Sequence, residues 1–200
     1  GAIDDYSKAI ELDPENPEIY IKRGDIKEEE LEDHQGANDD YSKAIELDPE
    51  NPEIYIKRGN IKETELEDYQ GAIDDYSKTI ELDPKDPQPF LDRARLKNNE
   101  IRDYKGAIDD STKAIELDPE NPKSYISRAL PKSLLEDYKG AIDDYSKAIE
   151  LDPEDPFTHL YLAFCKTSKD YQGSDWWLFK SIRIDCLWKR KETHIRVAFK

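Results

Sequence analysis

Paired carboxylates recur along the chain at Asp39-Asp40, Asp74-Asp75, Asp109-Asp110 and Asp143-Asp144. Such pairs are the raw material of general acid-base chemistry. Three histidines (His34, His159, His194) and two cysteines (Cys165, Cys186) could add metal ligation or nucleophilic attack. Spacing removes most of this chemistry. The pairs return in every copy of one repeated block, at successive helix positions. That pattern reads as a solvated face with carboxylates well placed near a helix N-terminus. His159 and Cys165 are six residues apart on a predicted helix, which sets them on different faces. His34 stands where other copies have Tyr69 and Tyr104, so it reads as a packing residue. The acidic DPENPE turns lack the D-x-D-x-D-G spacing of a calcium loop. The sequence has no G-x-S-x-G, no phosphate-binding glycine loop and no H-E-x-x-H. The reading is of no enzyme, with catalytic residues none, metal none and cofactors none.

The block that carries these carboxylates, GAIDDYSKAIELDP, positions everything else. It opens at Gly1, Gly36, Gly71, Gly106 and Gly140, in steps of 35, 35, 35 and 34 residues. A fixed period of this size means stacked units, none able to bury a core alone. Within one unit, Asn16-Pro17 marks a helix start, because asparagine caps and proline suits the first turn. Asp33 caps a second helix, which runs from about His34 to Leu47 and stops before Pro49. Ala37, Tyr41 and Ala44 form a small-large-small stripe on that helix. Gly24 offers the same close approach on the first helix, against a helix-propensity cost of about 1 kcal/mol. Each helix pair closes into an antiparallel hairpin.

Composition sets limits on partners. The chain has 200 residues, 36% hydrophobic and 38% charged, with a net charge of −17. A surface so acidic repels phosphate backbones, which argues against nucleic acid and for basic partners. The stretch 186–200 is the exception, with five basic residues and one acid. No apolar run is long enough for a membrane span. Two cysteines do not make a disulfide framework, and a reducing, cytoplasmic location is the default. The chain contains no methionine and starts in mid-repeat, so it is expected to be a piece of a longer protein.

These positions resemble the tetratricopeptide repeat (TPR) family. Its helix-turn-helix unit has an aromatic, a small residue four later, then alanine, aromatic, alanine and a closing proline. Here they read Tyr20, Gly24, Ala37, Tyr41, Ala44 and Pro49. They recur as Tyr55, Gly59, Ala72, Tyr76, Thr79 and Pro84, as Phe90, Ala94, Ala107, Ser111, Ala114 and Pro119, and as Tyr125, Ala129, Ala141, Tyr145, Ala148 and Pro153. The resemblance implies an all-α, right-handed α-solenoid of antiparallel helix pairs, a TPR superhelix of about five and a half repeats. Its array covers residues 1–185: a half repeat at 1–15, full repeats at 16–50, 51–85, 86–120 and 121–154, and a degenerate terminal repeat at 155–185. A basic C-terminal extension follows at 186–200. The pentatricopeptide family shares the period but binds RNA, and both the alanine-tyrosine-alanine stripe and the net charge speak against it.

Departures from the pattern carry their own expectations. Ser111 replaces a packing tyrosine and leaves a gap, so Ser111→Tyr should stabilise by about 1 kcal/mol. Thr79 replaces an alanine, and Asn38 stands where Ile73, Ile108 and Ile142 stand. Three copies hold one extra residue, assigned to the turns near Glu32, Glu67 and Arg102. Pro131 falls inside a first helix and should kink or break it near Leu130. Trp176, Trp177 and Trp188 fall in the terminal region, read as a cap ahead of a frayed end.

The resemblance also implies a concave groove lined by the first helix of each unit. Its residues here are Glu18, Ile21, Asp25, Glu28, Glu53, Ile56, Lys57, Asn60, Asp92, Arg95, Lys123, Ser127, Leu160 and Phe164. The groove grades from acidic to apolar and suits a peptide with a basic segment near Glu18, Asp25 and Glu28. Some TPR domains grip acidic chaperone tails. Asn60 and Lys123 match parts of that pattern, but Asp25, Asp92 and Ser127 occupy places that need amide or cationic groups. The implied function is a scaffold or adaptor that holds peptide segments of partner proteins. The alternative is a regulatory or docking segment of a larger enzyme whose catalytic domain lies elsewhere.

Overall fold

The computed structural model describes residues 1–170, and among them there are ten α-helices and no strand. They are α1 (Ala2–Leu12), α2 (Pro17–Glu29), α3 (His34–Leu47), α4 (Pro52–Thr64), α5 (Tyr69–Leu82), α6 (Gln88–Leu96), α7 (Tyr104–Leu117), α8 (Pro122–Leu134), α9 (Tyr138–Leu151) and α10 (Pro156–Asp170). Each helix packs on the one before and the one after it, as a linear stack requires. The tryptophans, Cys186 and the extension at 186–200 lie outside the described residues.

Local chemistry sets the helix ends. Asn16, Asn51 and Asn121 each accept the backbone N–H two residues on, with proline in the first turn behind them. Asp33, Asp68, Asp103 and Asp137 each accept the backbone N–H of a glycine at 3.0 Å. The residue before each of these aspartates (Glu32, Glu67, Arg102, Glu136) has φ between 52° and 66°. This left-handed step turns the chain between the two helices of a pair, in the short unit as in the long ones. Two long units take their extra residue into the turn. In the third, a π-turn at Lys97–Ile101 absorbs it.

The core is the small-large-small stripe. Ala37, Tyr41 and Ala44 are fully buried, as are Ala72 and Tyr76. A Cβ at Gly24 would lie 2.7 Å from the Tyr41 ring, and one at Gly59 would lie 3.0 Å from the Tyr76 ring. Glycine lets the ring sit this close to the first helix, and in the fourth unit Ala129 takes the same place beside Tyr145. The first-helix aromatic is fixed from its other end. Tyr20, Tyr55 and Tyr125 donate their hydroxyls to the carbonyls of Pro14, Pro49 and Pro119 at 3.0–3.2 Å. His159 replaces that tyrosine in α10 and puts Nε2 3.0 Å from the Pro153 carbonyl.

The structure corrects the reading of the acidic pairs. Only the first member of each is solvated. Asp40, Asp75, Asp110 and Asp144 are 3–5% exposed. Each binds an arginine through two hydrogen bonds of 2.6–2.9 Å, from Arg23, Arg58, Arg93 and Arg128. Lys27, Lys62, Lys97 and Lys132 add a second cation at 2.7–2.9 Å. The same arginines donate a third bond to Ser7, Ser42, Ser77 and Thr112 on the preceding second helix, at 2.8–3.4 Å. Each also lies 5.8–6.0 Å from the centre of its neighbouring aromatic ring. One guanidinium thus joins three helices from two units.

Two departures also behave differently from expectation. Pro131 does not end its helix, which continues to Leu134, and the ring is buried where other units place Ile61 and Leu96. The gap expected at Ser111 is closed. Ser111 is fully buried and hydrogen-bonded to the Ala107 carbonyl and, at 3.0 Å, to Ser127 on α8, while α6 and α8 come into direct contact. The buried Oδ1 of Asn98 stands without a partner, at the place where Glu28 and Glu63 accept a tyrosine hydroxyl.

Two stability measurements in urea follow. Asp75→Ala leaves two partly buried cations without their carboxylate and is expected to cost about 3 kcal/mol, whereas Asp74→Ala next to it stays within about 0.5 kcal/mol. Equal effects would mean the pair is a surface feature. Ser111→Tyr must push α8 aside and is expected to destabilise by about 1–3 kcal/mol. A higher midpoint would show that an open slot remains.

Candidate peptide-binding surface

The first helices α2, α4, α6, α8 and α10 carry all fourteen residues that the sequence points to. Side chains tie neighbouring first helices together. Lys57 on α4 reaches Asp25 on α2 at 3.0 Å. Arg95 on α6 reaches Glu63 on α4 through both terminal guanidinium nitrogens, one of them at 2.8 Å, and lies 3.6 Å from Asp92. The tyrosines of the core supply the next contacts. The Tyr41 hydroxyl shares its one proton between Asp25 at 2.8 Å and Glu28 at 2.9 Å, and the Tyr76 hydroxyl does so between Asn60 at 2.8 Å and Glu63 at 3.0 Å. The core ring and the polar surface above it are one connected arrangement.

Five of the fourteen converge on one cavity. Glu18, Ile21, Asp25, Glu53 and Lys57 line it, together with Lys22, Asn51 and Ile54. Its volume is about 150 Å³. Ile56, Asn60, Asp92, Arg95, Lys123 and Ser127 follow along α4, α6 and α8 outside this cavity. Leu160 is 47% exposed, while Phe164 is half-buried against the Ala129 and Tyr145 cluster. The sequence reading also pointed to Glu63 on α4, which the structure pairs with Arg95, and it missed Lys22, Asn51 and Ile54.

The electrostatics follow from burial and pairing. Burial disfavours the charge on Lys57, but the Asp25 hydrogen bond and nearby Glu53 and Glu28 hold the ammonium above its ordinary value. Burial pushes the Asp92 carboxyl up, against the opposing pull of Gln88 and Arg95. Tyr41 and Tyr76 are pushed well up, mainly by burial, with their carboxylate partners adding to it. Asp25 and Glu28 thus direct hydrogen-bonding capacity inward, to Tyr41 and, for Asp25, Lys57. Glu18 and Glu53 are the carboxylates that remain open to solvent at this end. Among the described residues there is no cluster of three side chains fit to hold a metal ion, and no helix long and apolar enough to cross a membrane.

Comparison with known proteins agrees with this architecture. A family model described as TPR repeat matches residues 1–29 and 30–64, and one described as tetratricopeptide repeat matches 52–86 and 122–155. No curated protein matches the chain in sequence. Among solved structures, MamA from Desulfovibrio magneticus RS-1 is 22% identical with a TM-score of 0.69, over 77% of this chain and 85% of that one. A tetratricopeptide repeat protein from Parabacteroides merdae is 19% identical with a TM-score of 0.70, over 82% and 64%. The first TPR of Spaghetti (RPAP3), bound to the HSP90 peptide SRMEEVD, is 24% identical with a TM-score of 0.57, over 60% and 93%.

Stability should fall in alkali. Burial raises the Cys165 thiol to about 11 and the Tyr138 phenol to about 12, Glu136 adding to the latter. The ordinary values are 9.0 and 10.0, so above pH 9 the unfolded chain releases protons that the folded chain keeps. Lys57 works the same way, since a raised ammonium loses its stabilising charge as pH climbs. Tm is expected to hold level through pH 8 and to drop steadily from about pH 9 to 11. A rise in Tm over that range would contradict the assigned burial.

Proposed function

The chain belongs to the tetratricopeptide repeat family, and on that footing we propose that it is a protein-binding scaffold or adaptor, with a cytoplasmic location, that holds peptide segments of partner proteins against the row of first helices. The array is taken as residues 1–185. The observation that carries the reading is the cavity between α2 and α4, where Glu18, Ile21, Asp25, Glu53 and Lys57 of the first-helix row meet. The row around it supports the reading. Its exposed positions change from Glu18 and Glu53 through Gln88 to Lys123, while the arginine–aspartate clusters behind them persist. Each unit thus carries its own surface chemistry on a shared frame, as a scaffold for distinct peptide segments needs. The Spaghetti domain, a fold neighbour, is itself bound to a peptide. Basic segments of partners suit the amino end, where Glu18 and Glu53 are open.

Peptides selected from a displayed random library on the whole chain test this. Asn60→Arg and Leu160→Arg on the first helices are expected to weaken their binding by about tenfold or more. Asp74→Arg and Lys113→Glu on the second helices should leave it within about twofold, as peripheral charges do. The reverse pattern would place the binding surface on the other side of the stack.

A further inference from the structure

We propose that the cavity between the N-terminal halves of α2 and α4 is a socket for a single cationic side chain, a lysine or arginine, of the polypeptide held on this surface; the inference rests on the scaffold reading above. Ile21 at 8% exposure and Ile54 at 0% close the base, and the surface presented to a ligand is mostly polar. A polar recess of this size suits the charged head of a long basic side chain. A cavity of about 150 Å³ has room for a group the size of benzene, so it takes one side chain and not a folded element.

The charges decide the sign. Three carboxylates face two ammonium groups around the cavity. Lys57 is committed to Asp25 at 3.0 Å, in a pair mostly withdrawn from solvent. Lys22 lies 3.4 Å from Glu18, but both are more than half exposed, so water screens that contact. Glu53 forms no ion pair among the described residues. An entering cation finds Glu18 and Glu53 open at the mouth and displaces no buried pair.

Carboxylates in a first turn also suit the helix dipole, and that alone could account for Glu18 and Glu53. The chain contains its own control. Two units further on, the equivalent positions between α6 and α8 are Gln88, Asp92, Arg95 and Lys123; Arg95 is taken up by Glu63 and Asp92, and the exposed Lys123 stands where the open Glu53 stood. Were the dipole in command, Lys123 would not occupy the first turn of α8. The same frame is set for a cation at one end and against it further along, which also gives a bound peptide a direction.

The test pans a random dodecapeptide display library on the 200-residue chain, with the selected sequences remade as labelled, amidated peptides. Lysine or arginine is expected at one shared position. Affinity should fall about tenfold with Glu53→Lys, which installs the α8 charge, and less with Glu18→Gln. Raising salt from about 0.1 M to 1 M should weaken binding. Circular dichroism confirms that both variants fold. Peptides that lose affinity with Asn60→Arg but show no basic preference, or ignore Glu53→Lys, overturn the socket and leave the scaffold reading standing. Peptides indifferent to Asn60→Arg, or no selected peptide at all, overturn both.

Discussion

A carboxylate shut away from water must be paired, and this stack has turned that requirement into its fastening. Asp40, Asp75, Asp110 and Asp144 are each gripped by an arginine and a lysine of the preceding helix. The arginine's remaining nitrogen reaches back to the unit before. An aliphatic residue in the aspartate's place could fill the same volume, but it would specify neither the register of the helix pair nor its distance from the next pair. The bidentate fork specifies both, because its geometry is fixed. The stripe of alanines and tyrosines supplies the apolar burial, and the fork sets where each layer sits.

That division of labour shows in how the units tolerate change. In the third unit the tyrosine has become Ser111, the facing glycine has become Ala94, and the last turn of the first helix has widened into a π-turn, yet the Arg93–Asp110–Lys97 cluster keeps its distances. In the fourth, Pro131 takes a core position and the spacing between arginine and aspartate shortens from 17 residues to 16, and the cluster again survives. The packing bends around the ion cluster. This stability of frame lets the outward positions drift from acidic to basic without disturbing the stack.

Period, helix ends and the buried stripe were all legible in the residues, because Asn-Pro and Asp caps, Ala37-Tyr41-Ala44 and Gly24 each have one physical use at their spacing. The ion clusters were not read. Asp39 and Asp40 look alike in sequence, but adjacent helix positions point about 100° apart, so one meets water and the other meets Arg23. The signal existed, since Arg23, Arg58, Arg93 and Arg128 recur with the same period as their aspartates. A lone buried charge is rare, so a carboxylate reads as surface until its cation on another helix is in view. The candidate surface was legible as a row of positions. Its partnering was not, because Asp25–Lys57 and Glu63–Arg95 join residues 32 apart that no single helix brings together.

A double-mutant cycle across units tests the fastening most directly. Arg58→Met, Ser42→Ala and the pair together are compared by urea unfolding of the whole chain, with Arg58→Met and Asp75→Leu as a second cycle. A guanidinium that stitches two units predicts coupling in both cycles, about 1 kcal/mol with Ser42 and about 2 kcal/mol or more with Asp75. Additivity within about 0.5 kcal/mol in the Asp75 cycle would contradict the account, leaving the stack to the tyrosine stripe alone.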